Sequence, residues 1–111
     1  LTMLRAGDLT ERISLEKRGG GENENGEPLP NDWVVHASVW ANVRFLNGKE
    51  YVVSGAVRSS AVASMRIRFR LDVDSEMRVR YGDQIYDIVA VLPNRAKGYL
   101  DLSVQVGEKY V

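Results

Sequence analysis

The chain has one histidine, His36, placed between Val35 and Ala37, and no cysteine anywhere. Nucleophilic catalysis needs a nucleophile, a base within hydrogen-bond reach and usually a third group that orients the base. No serine motif of the elbow type accompanies His36, which reads as an exposed or edge residue. One histidine without cysteine does not supply the three or four ligands of a zinc site. Asp72, Asp74 and Glu76 offer three carboxylates to calcium, but the glycine and distal glutamate of an EF-hand loop are missing, so the segment reads as a solvated turn. Gly19, Gly20 and Gly21 lack the Gly-Lys-Ser/Thr ending of a phosphate-cradling loop, and the glutamates that follow would repel phosphate. No carboxylate pair can be given acid and base roles from sequence. The expectation is a non-enzymatic chain with no cofactor, no metal and no small-molecule substrate.

Arginine is the more unusual feature. Arg66, Arg68 and Arg70 alternate with apolar residues, as do Arg78 and Arg80, and two such strands side by side would form one basic sheet face. Such a face is a solvated surface, a nucleic-acid contact or an interface with an acidic protein surface. The chain carries 15 basic and 15 acidic residues, so no global field draws it to nucleic acid or an anionic membrane. That balance favours a protein partner, with Asp72, Asp74, Glu76, Asp83 and Asp87 supplying acidic charge nearby. Trp40 stands on the polar side of an apolar segment. Either a helix or loop covers it, or it anchors a contact between subunits.

The elements that position these residues follow from periodicity. At 111 residues, 44% hydrophobic and 27% charged, the chain has the make-up of one globular domain over 1–111. A domain this small buries only about two-thirds of its unfolded surface, so a partner adds burial it lacks. The missing cysteines, the absence of any apolar run near ~18 residues and a start without signal-peptide layout predict a soluble, unexported, cytoplasmic protein outside membranes.

Ile13 and Leu15 alternate with polar residues in a first strand. Residues 18–32, rich in Gly, Asn, Glu and Pro, predict a long flexible loop. Val35, Ala37, Val39, Ala41, Val43 and Phe45 then form an unbroken apolar row at period two. Asn47 with Glu50 three positions on, followed by Val53, Ala56, Val57, Ser60 and Ala61 at helical spacing, predicts a short helix. Period two returns at Ala63, Met65, Ile67, Phe69 and Leu71, and again at Met77, Val79 and Tyr81. Gly82-Asp83 suits a two-residue hairpin turn. Ile85 to Leu92 is apolar on both faces, and Leu100, Leu102, Val104 and Val106 close a second hairpin. The sum is a mainly β protein: a small antiparallel β-barrel or sandwich of about six strands, with one short helix and one long loop.

Read in order, Ala6-Gly7-Asp8-Leu9, Arg12-Ile13-Ser14-Leu15, Trp33, Val39-Trp40-Ala41, Gly48-Lys49-Glu50-Tyr51, Met65-Arg66-Ile67-Arg68, Met77-Arg78-Val79-Arg80-Tyr81 and Ile85-Tyr86-Asp87-Ile88 span nearly the whole chain. That succession resembles the head-tail joining proteins of long-tailed bacteriophages and their prophages, also called head-tail adaptor or head closure proteins. The resemblance implies a small β-barrel that forms a homo-oligomeric ring, joins the DNA-filled head to the tail and helps close the DNA channel. It implies a portal or adaptor protein and a tail-completion protein as neighbours, packaged DNA passing through the ring, assembly in the bacterial cytoplasm and a place in the virion neck. It brings no catalytic residue. The family's Trp-Ala strand falls on Trp40 and Ala41, and its Gly-x-Glu-Tyr segment, which some relatives place near the channel, on Gly48, Glu50 and Tyr51.

A ring repeats one heterologous contact, so each subunit needs two different complementary surfaces. The candidate interface residues are therefore Trp40, Glu50, Tyr51, Arg66, Arg68, Arg70, Arg78 and Arg80. A subunit whose loop orders on docking would stay monomeric until it meets its target. The alternative is a small nucleic-acid-binding β-barrel that uses the arginine face, with Tyr81, Tyr86 or Tyr99 as stacking platforms.

Overall fold

The computed structural model describes the backbone of residues 6–29, 32–54 and 57–107, with side chains over these ranges except at 6 and 47–60. Six strands follow one another: β1 (Glu11–Arg18), β2 (Trp33–Ser54), β3 (Val57–Arg68), β4 (Arg78–Tyr81), β5 (Gln84–Asn94) and β6 (Tyr99–Val106), with single 3₁₀ turns at Ala6–Asp8 and Arg95–Lys97. They close into an antiparallel barrel in the order β1-β2-β3-β6-β5-β4, so that β4 returns to pair with β1. Within the closed part, this removes the free sheet edges that would otherwise invite pairing with other chains.

Alternation decides the inside. Ile13 and Leu15 of β1, Met65 and Ile67 of β3, Val79 of β4, Ile88 of β5 and Leu100, Leu102 and Val104 of β6 are fully buried in the lumen. Ala41 lies opposite Ile67, and Ala63 opposite Val104, so small residues face large ones and the narrow interior fills. Leu9 is also buried, and Asn42 beside it donates through Nδ2 to the Asp8 carbonyl at 3.1 Å.

The apolar row of β2 leaves the core at both ends. Val35 is 59% exposed and Phe45 58%. At the first end a bulge is responsible: Leu15 pairs with Ala37 and Glu16 with Val35, which leaves His36 as the extra residue. At the second end β2 outruns its neighbour, since β1 pairs no further than Ala41.

The helix expected over Asn47–Ala61 does not form. Glu50–Ser54 pair instead with Val57–Ala61 as a two-stranded arm, beyond the point at which β6 stops pairing with β3 at Ala63. Tyr51, Val52, Val53 and Val57 are aromatic and β-branched residues with strong strand preference, and local helical spacing does not outweigh them.

The two expected hairpins are present. Gly82 adopts φ +60° between β4 and β5, a conformation that other residues rarely hold. Between β5 and β6, Asn94 Oδ1 accepts from the Lys97 N–H, and Gly98 at φ +79° ends the 3₁₀ turn.

Candidate interaction surface

The five arginines do not share one face. Between β3 and β4 the closed sheet places two strands in either direction, β1 and β2 one way and β5 and β6 the other. Arg66 and Arg68 therefore stand on a different wall of the barrel from Arg78 and Arg80. The expected alignment assumed that strands adjacent in sequence are adjacent in the sheet; the connection over 69–77 instead crosses the barrel.

Arg78 and Arg80 belong to a polar cluster built on Glu16. Arg78 donates to Glu16 Oε1 at 2.7 Å, with both side chains nearly buried, and Arg80 donates to Oε2 at 3.1 Å from a half-exposed position. Burial pushes the Glu16 carboxyl upward, but hydrogen bonds and charge from the two arginines outweigh it and hold it below the ordinary glutamate range. The guanidinium of Arg78 also lies 4.3 Å from the Trp33 ring centre, and that of Arg18 lies 4.5 Å from it. Across the β4–β5 ladder Arg78 faces Asp87, which is itself buried. Arg78 is thus an internal tie between β1, β2 and β4.

Arg66 is similarly engaged. It makes a bidentate pair with Asp101 at 2.7 and 2.9 Å, and its guanidinium lies 3.7 Å from the centre of the Tyr99 ring. Donating these hydrogen bonds to Asp101 raises its pKa further. Arg70 makes a second bidentate pair, with Asp72 at 2.8 Å, and His36 Nε2 lies 2.7 Å from the same carboxylate. The Arg70 hydrogen bond, followed by that of His36, holds the Asp72 carboxyl far below the usual range. This contact ties the segment after β3 to the bulge in β2.

These contacts also occupy the expected stacking platforms. Tyr86 is 8% exposed within the core, Tyr99 is covered by Arg66, and Tyr81 donates its hydroxyl to Glu11 at 2.8 Å. A path of exposed aromatic faces for nucleic-acid bases is not formed by these three residues.

What remains open lies around Trp40. Its side chain points outward from β2 and is 52% exposed. Among the described residues neither a helix nor a loop covers it; its ring is overlaid by Arg12, the cross-strand partner on β1, at 5.1 Å from the centroid. Leu9, Arg12, Ser38, Val39, Trp40, Arg68, Phe69 and Arg70 line a groove of about 370 Å³. Arg68 is exposed and forms no ion pair with a described residue. Of the expected interface set, the structure thus brings together Trp40, Arg68 and Arg70, and it adds Arg12, which sequence reading missed. The signal for Arg12 was the β1–β2 register, which a connection over 19–32 conceals.

Glu50 and Tyr51 lie on the arm in register with Ala61 and Ser60. Their side chains are outside the described set. Among the described residues no cluster of His, Asp or Glu is arranged to hold a metal ion.

A second surface comes from the connection between β1 and β2. Glu22 bridges Pro28 in antiparallel fashion, and Asn23 organises the tip: its N–H donates to the Glu27 carbonyl, and its Oδ1 accepts from the N–H groups of Asn25 and Glu27 at 2.9 and 3.0 Å. Gly26 supplies φ +79° for the turn. At the base, Asp32 accepts from Gly21 N–H through its carboxylate and from Gly19 N–H through its carbonyl. The result is a small projecting hairpin whose Glu22, Glu24 and Glu27 are all exposed.

The filled six-stranded barrel, with an arginine-tryptophan groove on one wall and an acidic hairpin in the β1–β2 connection, is a small all-β module. The chain belongs to the phage head completion protein family, whose model matches residues 4–107. Membership gives it a structural role in a virion. No curated protein matches the chain significantly. Among solved structures, it is similar to protein SF1141 from Shigella flexneri 2a, with 24% identity, 96% of this chain and 99% of that one covered, and a TM-score of 0.73. It is also similar to a chain in the virion of a native gene transfer agent particle, with 23% identity, 89% and 97% coverage and a TM-score of 0.61. At these identities the likeness bears on the fold.

Proposed function

We propose that this protein is a connector of the virion neck, forming a homo-oligomeric ring that joins the DNA-filled head to the tail and helps close the DNA channel. The observation that carries the reading is the head completion family match over nearly the whole chain. The presence of a chain of similar fold in a gene transfer agent virion supports it. Its neighbours are a portal or adaptor ring on the head side and a tail-completion protein on the other, and packaged DNA passes through the ring. Assembly takes place in the cytoplasm of the bacterial host, and the chain 1–111 acts as one domain.

The physical support is in the two surfaces. Ring closure repeats a heterologous contact and needs two unlike patches on one subunit. The Trp40 groove and the acidic hairpin are two such patches. The arm formed by the ends of β2 and β3, which carries Glu50 and Tyr51, is the element suited to reach the channel or the next ring.

The test is deletion of the gene in the phage or prophage that encodes it. Filled heads without tails, converted to infectious particles by adding the purified protein, are the expected outcome. Normal tailed particles from the deletion strain would refute the role.

A further inference from the structure

We propose that the acidic hairpin tip of one subunit, residues 22–29, docks into the Trp40 groove of the next. This contact rests on the ring reading above and names the surfaces that would make it.

Four observations lead there. First, the charges are complementary and uncommitted. Glu22, Glu24 and Glu27 are exposed and make no ion pair with a described residue. Arg68 in the groove is likewise exposed, and Arg12 is exposed as well, with its guanidinium over the Trp40 ring. Glu16, Asp72 and Asp101, by contrast, are all taken by arginines of their own chain.

Second, the tip carries apolar surface to match. Leu29 is 39% exposed, and Trp40 and Phe69 line the groove. An aromatic ring flanked by arginines is the composition of an interface anchor.

Third, the tip is preorganised. Asn23 and Asp32 hold its turn and its base through the hydrogen bonds described above. Docking therefore costs little in new ordering.

Fourth, the two surfaces are separate parts of the same ribbon. Arg12 and Arg18 are six residues apart on β1, about 20 Å at strand rise. The tip lies beyond Arg18 and does not occupy its own groove. Two unlike, non-overlapping patches on one subunit produce a head-to-tail contact, which closes into a ring when the rotation allows.

The experiment uses charge reversal in two separate chains. One carries Arg12→Glu and Arg68→Glu, so that groove and tip are both acidic. The other carries Glu22→Arg, Glu24→Arg and Glu27→Arg, so that both are basic. All five positions are exposed, and thermal melts of each variant check that folding survives. Each chain alone faces like charges across the contact and should restore tail joining to deletion-strain heads at least about tenfold less well than wild type. The two mixed in equal amounts can alternate around a ring, with every contact attractive for an even number of subunits and all but one for an odd number, and activity should return.

A second readout is independent of infectivity. The chain has no cysteine, so Glu24→Cys with Ser38→Cys in one chain should give a ladder of disulfide-linked subunits on oxidation in particles. Wild-type joining with neither rescue nor ladder overturns the docking contact. A ladder without any tail joining by wild type retains the contact and overturns the neck role. Salt-dependent binding of a single-stranded oligonucleotide, abolished by the groove reversal and unaccompanied by a ladder, assigns the groove to nucleic acid instead.

Discussion

Glu16→Gln should lower stability by about 3 kcal/mol while leaving the volume of the site unchanged. The Glu16 and Arg78 side chains are 8% and 7% exposed, joined at 2.7 Å. Removing one charge of a buried pair leaves the other uncompensated, at a typical cost of about 3–5 kcal/mol. The lower end applies, because Asp87 faces Arg78 from β5 and Arg80 is half exposed and can turn to solvent. For a domain of this length that corresponds to a fall in melting temperature on the order of 12 °C. Arg80→Ala breaks a 3.1 Å contact made from a half-exposed position and should cost under about 1 kcal/mol. The pH dependence has a definite sign. The folded Glu16 carboxyl lies below its ordinary value of 4.5, so its contribution is complete above that value and is lost as pH falls through the lowered one. The gap between wild type and Glu16→Gln, measured by urea denaturation, should be constant near neutrality and narrow below about pH 4.5. A gap under about 1 kcal/mol at pH 7, or one that persists unchanged to pH 3, would refute the tie between β1 and β4.

Three further outcomes can be measured directly. Leu102→Ala empties a fully buried site opposite Met65 and should cost about 2–5 kcal/mol in chemical denaturation; a loss below about 1 kcal/mol would mean that the lumen is not filled as described. Trp40→Ala removes a half-exposed ring and one arginine contact, so the melting curve should move little, by about 1 kcal/mol at most. Assembly on heads should nevertheless fail, and a variant that assembles normally would remove Trp40 from the interface. Gly82→Val places a β-branched residue at φ +60° and should destabilise the β4–β5 hairpin by about 1–2 kcal/mol, whereas Asp83→Asn should be nearly neutral.

Several features were legible in the chain without any fold. Period-two alternation placed Ile13 and Leu15, Met65 and Ile67, and Leu102 and Val104 on buried faces. Gly82 and the run ending at Gly98 marked both hairpins of the second half. The likeness to head-tail joining proteins agrees with the head completion family found over 4–107. Local periodicity was not enough at Asn47–Ala61, where small residues satisfy helical and strand spacing alike. Only the pairing of Glu50–Ser54 with Val57–Ala61 settles that segment as an arm.

The partners of the arginines were beyond reach for a more general reason. Alternation says which side of its own strand a residue occupies, and says nothing of which strand lies beside it. Closure pairs β1 with β4 and β3 with β6, contacts between segments far apart in sequence, whose choice depends on packing the whole lumen. That choice gives Arg78 to Glu16 and Arg66 to Asp101, withdraws both from a common basic face, and leaves Arg68 open beside Trp40 and Arg12. Residue types thus set the supply of charge and aromatic surface. The closing order of the barrel decided which of it is used inside the molecule and which is presented to a neighbour.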